Sequence, residues 1–154
     1  MVREMLRGAA AGAAGTTVLN AVTYVDMALR ARPASSTPER TVDTIANRLG
    51  HPVPGGNGAR GNRLTGLGAL SGIATGIGIG AVFGALRACG LRLPAAAEAV
   101  LVGAAAMAAT DGAMAGLGVS DPRTWPASAW LSDAVPHLAY GAATSATLRA
   151  LDRG

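Results

Sequence analysis

The chain has 154 residues, half of them hydrophobic and only 14% charged, where an average soluble domain carries about 25%. With 35 Ala and 22 Gly it reads as an integral membrane protein, and its length allows one domain of four spans at roughly 20 residues each, with no room for a second. The formal net charge of +4 comes from 13 arginines and no lysine, dispersed between apolar runs. That makes nucleic acid a poor partner and suits arginine stems lying along span ends toward lipid headgroups. The one cysteine, Cys89, excludes an intrachain disulfide or a cysteine cluster.

The first apolar run covers about 8–29 and is flanked by Arg3, Arg7, Arg30 and Arg32. A basic start before an apolar stretch also fits a signal peptide, but the stretch is long enough to span. An amphipathic helix follows over about 37–49. Ser36, Thr37, Pro38 and Glu39 form a capping-box pattern, and Gly50, His51 and Pro52 give a stop. Val42, Ile45, Ala46 and Leu49 share one face, so this helix is expected to lie flat at the membrane surface. Residues 50–63, GHPVPGGNGARGNR, read as a flexible Gly/Pro linker, because the G-K-[ST] ending of a phosphate-binding loop is missing.

The second span is expected over about 64–88, the third over 95–119 and the fourth over 133–151, with Pro136 in the first turn of the last, where its missing donor does no harm. Between the third and fourth, Trp125 and Trp130 suit an interfacial belt, with a short interfacial helix starting near Pro126. The expected fold class is thus all-α: a four-transmembrane-helix bundle with one short interfacial helix between the first two spans.

The second run carries Gly68, Gly72, Gly76, Gly80 and Gly84, four residues apart without interruption. Glycine costs about 1 kcal/mol against alanine in an aqueous helix, so such a stripe calls for close backbone approach of a neighbouring helix. Similar rows run through Gly8, Gly12, Thr16 and Asn20, through Ala104, Ala108, Gly112 and Gly116, and through His137, Gly141 and Ser145. The expectation is small-residue packing within the chain. The alternatives are a homo-oligomer or a membrane-protein partner that meets the same stripe.

Four alternating spans gather the polar residues on the side that carries the long connection. At 1.5 Å per residue, Asp26 lies about 5 Å in, His137 about 6 Å, Tyr140 about 10 Å, Asp111 about 12 Å and Asn20 about 14 Å. A charge so placed is costly and normally faces the bundle interior or water. Asp111 and His137 are the candidate charged pair, with Asn20, Tyr24, Asp26 and Tyr140 lining a polar half-cavity. The opposite half is expected to be dry apart from Thr147 and the flanking Arg87, Arg92, Glu98 and Arg149. Asp26, Asp111, Asp133 and His137 have the chemistry of metal ligands but no tight ligand spacing, and the chain contains no catalytic or cofactor motif.

The runs GTTVLNAVTYVDMALRARPASSTPER and SDPRTWPASAWLSDAVPHLAYG resemble small multi-pass membrane proteins of actinobacteria that have no assigned function. The resemblance implies a multi-pass protein of the cell membrane and brings no activity with it. The functional expectation is that the polar half binds or passes a proton, an ion or a small polar solute. The competing expectation is a non-catalytic assembly subunit docking through the glycine stripe, with a membrane enzyme third. Seven arginines on the long-connection side against six on the other are too even to orient the chain.

Overall fold

A computed structural model of the chain describes residues 1–153, apart from the side chain of Asn57. Among the described residues there are five α-helices and no strand: α1 (Val2–Arg30), α2 (Thr37–Arg48), α3 (Asn57–Ala88), α4 (Ala95–Gly116) and α5 (Ala127–Leu151), with a 3-10 turn at Pro122–Thr124. Two segments, Gly58–Ala88 and Ala95–Gly116, are long and apolar enough to cross a membrane.

Several helix ends depart from the sequence expectation for local reasons. α3 starts at Asn57 rather than near 64, so most of the expected linker is helical. Gly56 takes the extended cap conformation and its carbonyl accepts from Arg60 N at 2.9 Å. The new turns are tied down because Arg60 reaches Asp43 of α2 at 2.5 Å and Arg63 donates to the Pro54 carbonyl at 2.6 Å. α4 stops at Gly116, three residues early, because Gly118 adopts φ 72° and lets Val119 N bond back to the Met114 carbonyl at 2.9 Å. The expected interfacial helix and fourth span are one continuous helix, α5, with buried Pro136 in its interior rather than its first turn. The missing donor falls opposite the carbonyl of Ser132, which lies on a half-buried turn outside the core.

The capping box at α2 does not form. Ser36 makes no side-chain cap bond; Ser35 Oγ accepts from Thr37 N at 3.2 Å instead, and Glu39 turns to Thr65 of α3, whose hydroxyl donates to it at 3.4 Å. α2 buries none of its residues completely and packs on α3, with Arg48 donating to the Leu117 carbonyl past the end of α4 at 2.9 Å.

The four long helices pack in the order α3, α1, α5, α4, while α3 and α4 share a much smaller contact. The core formed by Ala11, Phe83, Val102, Ala106, Tyr140 and Leu148 sits along this row. Most of the interior is small or polar: Gly8, Gly12, Gly15, Thr16, Thr144 and Ser145 are buried. Large aliphatic side chains point outward on every long helix, among them Leu6, Leu70, Val82, Val100 and Leu131.

Candidate functional site

The glycine stripe determines how the helices are seated. A Cβ built on Gly80 would strike the Gly8 carbonyl oxygen and lie 2.6 Å from Gly12 Cα, one on Gly84 would strike the Glu4 carbonyl, and one on Gly76 would strike the Thr16 hydroxyl. Gly76, Gly80 and Gly84 therefore lie directly against α1 of the same chain. Gly68 backs onto Pro38 and Glu39 of α2, 3.1 to 3.2 Å from such a Cβ. Gly72 has nothing within 4 Å and is exposed. Continued at four-residue spacing, its opposite number on α1 is Asn20, so the two helices have parted by that level.

On α4 the row that packs lies one residue away from the expected one. Gly112 and Gly116 face open space, and Gly103 is the glycine that packs, with the His137 carbonyl oxygen 2.6 Å from its virtual Cβ. Opposite it, a Cβ on Gly141 would strike the Ala99 carbonyl and lie 2.6 Å from Gly103 N. Small residues stand on both rows of α4, and only the partner helix selects between them. On α5 the row His137, Gly141, Ser145 does face α4.

Asp111 lies within this α4–α5 contact, 7% exposed, with Oδ1 buried and without a hydrogen-bond partner. Its charged neighbours are Asp133 and His137 of α5. His137 Nδ1 is 2.9 Å from the Asp133 carbonyl oxygen and 3.3 Å from Asp133 Oδ1, so the imidazole is held by the residue one turn earlier on its own helix. Asp133 Oδ2 is likewise buried and unpartnered. The expected Asp111–His137 pair is thus a three-residue group with Asp133 as a full member. Asp133 and His137 share a helix face at i, i+4, a spacing that already points in the sequence to the two acting together at the mouth of the polar half.

The other expected lining residues are elsewhere. Tyr24 points away from the protein at 62% exposure. Asp26 is held by Arg30 at 3.3 Å and by Arg32 at 2.5 Å, and Arg30 also donates to Ser132 Oγ of α5 at 2.7 Å. Ala31, at φ 49°, turns the chain so that Arg32 can fold back. Tyr140 is 1% exposed and donates to the Gly76 carbonyl at 2.6 Å, which makes it a core tie between α5 and α3 rather than a cavity wall. Asn20 is half-buried, and no side-chain hydrogen bond of it occurs among the described residues. Nor do the described residues include a group of three or more His, Cys, Asp or Glu able to hold a metal ion.

The far half of the helix assembly is not dry. Glu98 of α4, 3% exposed, accepts from Ser145 Oγ at 2.8 Å and pairs with Arg149 of α5 at 2.9 Å and Arg87 of α3 at 3.4 Å. Arg87, 8% exposed, also pairs with Asp152 at 2.5 Å, and Arg149 donates to the Leu93 carbonyl at 2.6 Å. Each of these residues stands within a turn or so of a helix end, the position from which they were read as flanking charges. The interhelix geometry turns them inward, so that one ionic network ties α3, α4 and α5 together. At the opposite end, Trp125 and Trp130 meet edge to face with ring centroids 5.3 Å apart, and Trp125 Nε1 donates to Ser120 Oγ at 2.9 Å. Arg123 grips Asp121 beside them at 2.9 Å, which holds that carboxyl below its ordinary range and raises the guanidinium.

Compared with known proteins, the chain matches no described family, no curated protein and no solved structure, so the residues and their geometry carry the functional argument.

Proposed function

We propose that the chain is a four-span integral membrane protein of the cell membrane that takes up and releases a proton between Asp111 and Asp133 on the side carrying the long connection, with His137, one turn deeper on α5, positioning Asp133. The four-span reading is supported by the distribution of side chains. Leucines and valines cover the outside of α1, α3, α4 and α5, while Gly, Ala, Thr and Ser fill the interior, as expected of helices packed in lipid. A soluble monomer rarely exposes apolar patches beyond a few hundred Å². α1 and α5 are less apolar than the other two because they bring Thr16, Tyr140, Thr144 and Ser145 to the inside.

One observation carries the site: two buried carboxylate oxygens, Asp111 Oδ1 and Asp133 Oδ2, both without a partner, at the same helix contact. Two carboxylates side by side repel, and an orphaned buried acceptor costs roughly 1–3 kcal/mol. A single shared proton answers both, because one carboxyl then donates to the other. The assembly reading is less well supported, since α1 and α2 already cover four of the five stripe glycines.

The test is infrared spectroscopy of the protein reconstituted in lipid. A protonated-carboxyl band sensitive to deuterium exchange should be present at neutral pH and vanish in Asp111→Asn, where the amide donates to Asp133 in place of the proton. His137→Gln, which loosens Asp133, should shift the band without removing it. A folded wild-type protein without this band at neutral or mildly acidic pH would overturn the proposal.

A further inference from the structure

A second site lies at the other end of the molecule, where the first turns of α4 meet the last turns of α5. A groove of about 490 Å³ runs between them, floored by alanines of both helices, including Ala95, Ala99, Ala142 and Ala146, and edged by Ser145, Arg149 and Arg153. No side chain longer than a methyl group rises from that floor, so an apolar chain can lie along it. Its charged edge is positive. Glu98, the acid beneath it, is saturated by Arg87, Arg149 and Ser145 and offers no free negative charge to the groove. Arg149 spends one terminal nitrogen on Glu98 and Leu93 and has its Nε buried, so it lends the edge its charge and its other terminal nitrogen, while Arg153 is exposed with no ion pair among the described residues. This end carries Arg3, Arg7, Arg87, Arg92, Arg149 and Arg153 against Glu4, Glu98 and Asp152, an excess of three positive charges.

We propose that this groove is a binding site for one anionic phospholipid, with an acyl chain on the alanine floor and the headgroup phosphate at Arg149 and Arg153. The proposal rests on the membrane reading above but not on the carboxylate pair. A free phosphate would meet the same arginines without using the apolar floor. The chemistry therefore favours the lipid, whose two parts match the two parts of the groove. Bidentate geometry makes arginine well suited to a phosphate, and a basic group near an anionic headgroup changes affinity by about fivefold.

The experiment is native mass spectrometry of the full chain released from mild detergent micelles, titrated separately with phosphatidylglycerol, phosphatidylcholine and inorganic phosphate. The wild type should retain one phosphatidylglycerol in clear preference to phosphatidylcholine, and inorganic phosphate should neither bind nor displace it. Ala146→Leu, at an exposed position where the larger side chain fills the groove, should abolish retention while circular dichroism stays unchanged. Arg153→Gln should lower the preference about fivefold and leave the groove open. Equal retention of the two lipids, retention surviving Ala146→Leu, or displacement by inorganic phosphate would each overturn the proposal. Retention of neither lipid would overturn this site alone, a chain that stays soluble without detergent would overturn the membrane reading beneath it, and headgroup preference with no protonated carboxyl at Asp111 would leave this site standing alone.

Discussion

Glu98→Ala is the most informative perturbation of the fold. The carboxylate is 3% exposed and receives Ser145 at 2.8 Å, Arg149 at 2.9 Å and Arg87 at 3.4 Å. Removing one partner of a buried ion pair costs about 3–5 kcal/mol, because the remaining charge is left without compensation. Here the loss falls at the lower end, since Arg87 keeps Asp152 and Arg149 keeps the Leu93 carbonyl. The expected loss is about 3 kcal/mol, a shift of roughly a hundredfold in the unfolding equilibrium. Denaturation in mixed micelles, followed by far-ultraviolet circular dichroism, measures it. Glu98→Gln, which keeps an acceptor for Ser145 and removes the charge, should fall between the wild type and Glu98→Ala. Replacing the group together, as Glu98→Leu with Arg87→Met and Arg149→Leu, should cost less than Glu98→Ala alone, because apolar isosteres of a buried ion group are often neutral or stabilising. A Glu98→Ala protein within about 1 kcal/mol of the wild type would refute the buried network.

Three further outcomes are expected. Gly80→Ala should destabilise by about 1–3 kcal/mol or more through collision with the α1 backbone, while Gly72→Ala should cost nothing and gain up to about 1 kcal/mol, both read from thermal unfolding; equal effects would mean that the α1–α3 contact is wrong. Tyr140→Phe removes the bond to the Gly76 carbonyl and should cost about 1 kcal/mol in the same assay, with the helical spectrum intact. At the tryptophan end, the Arg123 guanidinium holds Asp121 below its ordinary value of 3.8. Stability from this pair is fully present above the unfolded value and disappears as pH falls through the lower folded one. Trp125 fluorescence should accordingly hold steady down to pH 3.8 and change only below it, and Asp121→Asn should abolish the change.

Parts of the site were legible and parts were not. Asp111 stood out as a charge deep inside an apolar run, and His137 as the imidazole inside the next one, because depth follows from residue count. Asp133 was harder to place as an equal partner, since a carboxylate at an expected span end has an innocent explanation as a surface charge. Tyr24 and Tyr140 show the limit of depth as a guide. Counted from the expected span ends they fall at comparable levels, yet one points outward and the other is the most buried aromatic of the core, because the direction around each helix axis depends on which neighbour it meets. Glu98, Arg87 and Arg149 were read as flanks for the same reason.

Composition and spacing by themselves determined an all-helical chain, the number of long helices, the amphipathic segment before the second of them and the need for close backbone approach along the glycine stripe. These properties are local: propensity, length and periodicity are written along the chain. The tertiary structure alone decided that α1 fills the stripe, that Gly103 rather than Gly112 is the glycine of α4 that packs, that Asp133 joins Asp111 and His137, and that the far-end charges close into a network. Helix rotation and pairing order set each of these, and in a chain so rich in Ala and Gly several faces of each helix are smooth enough to pack. Only the simultaneous fit of all the helices selects among them.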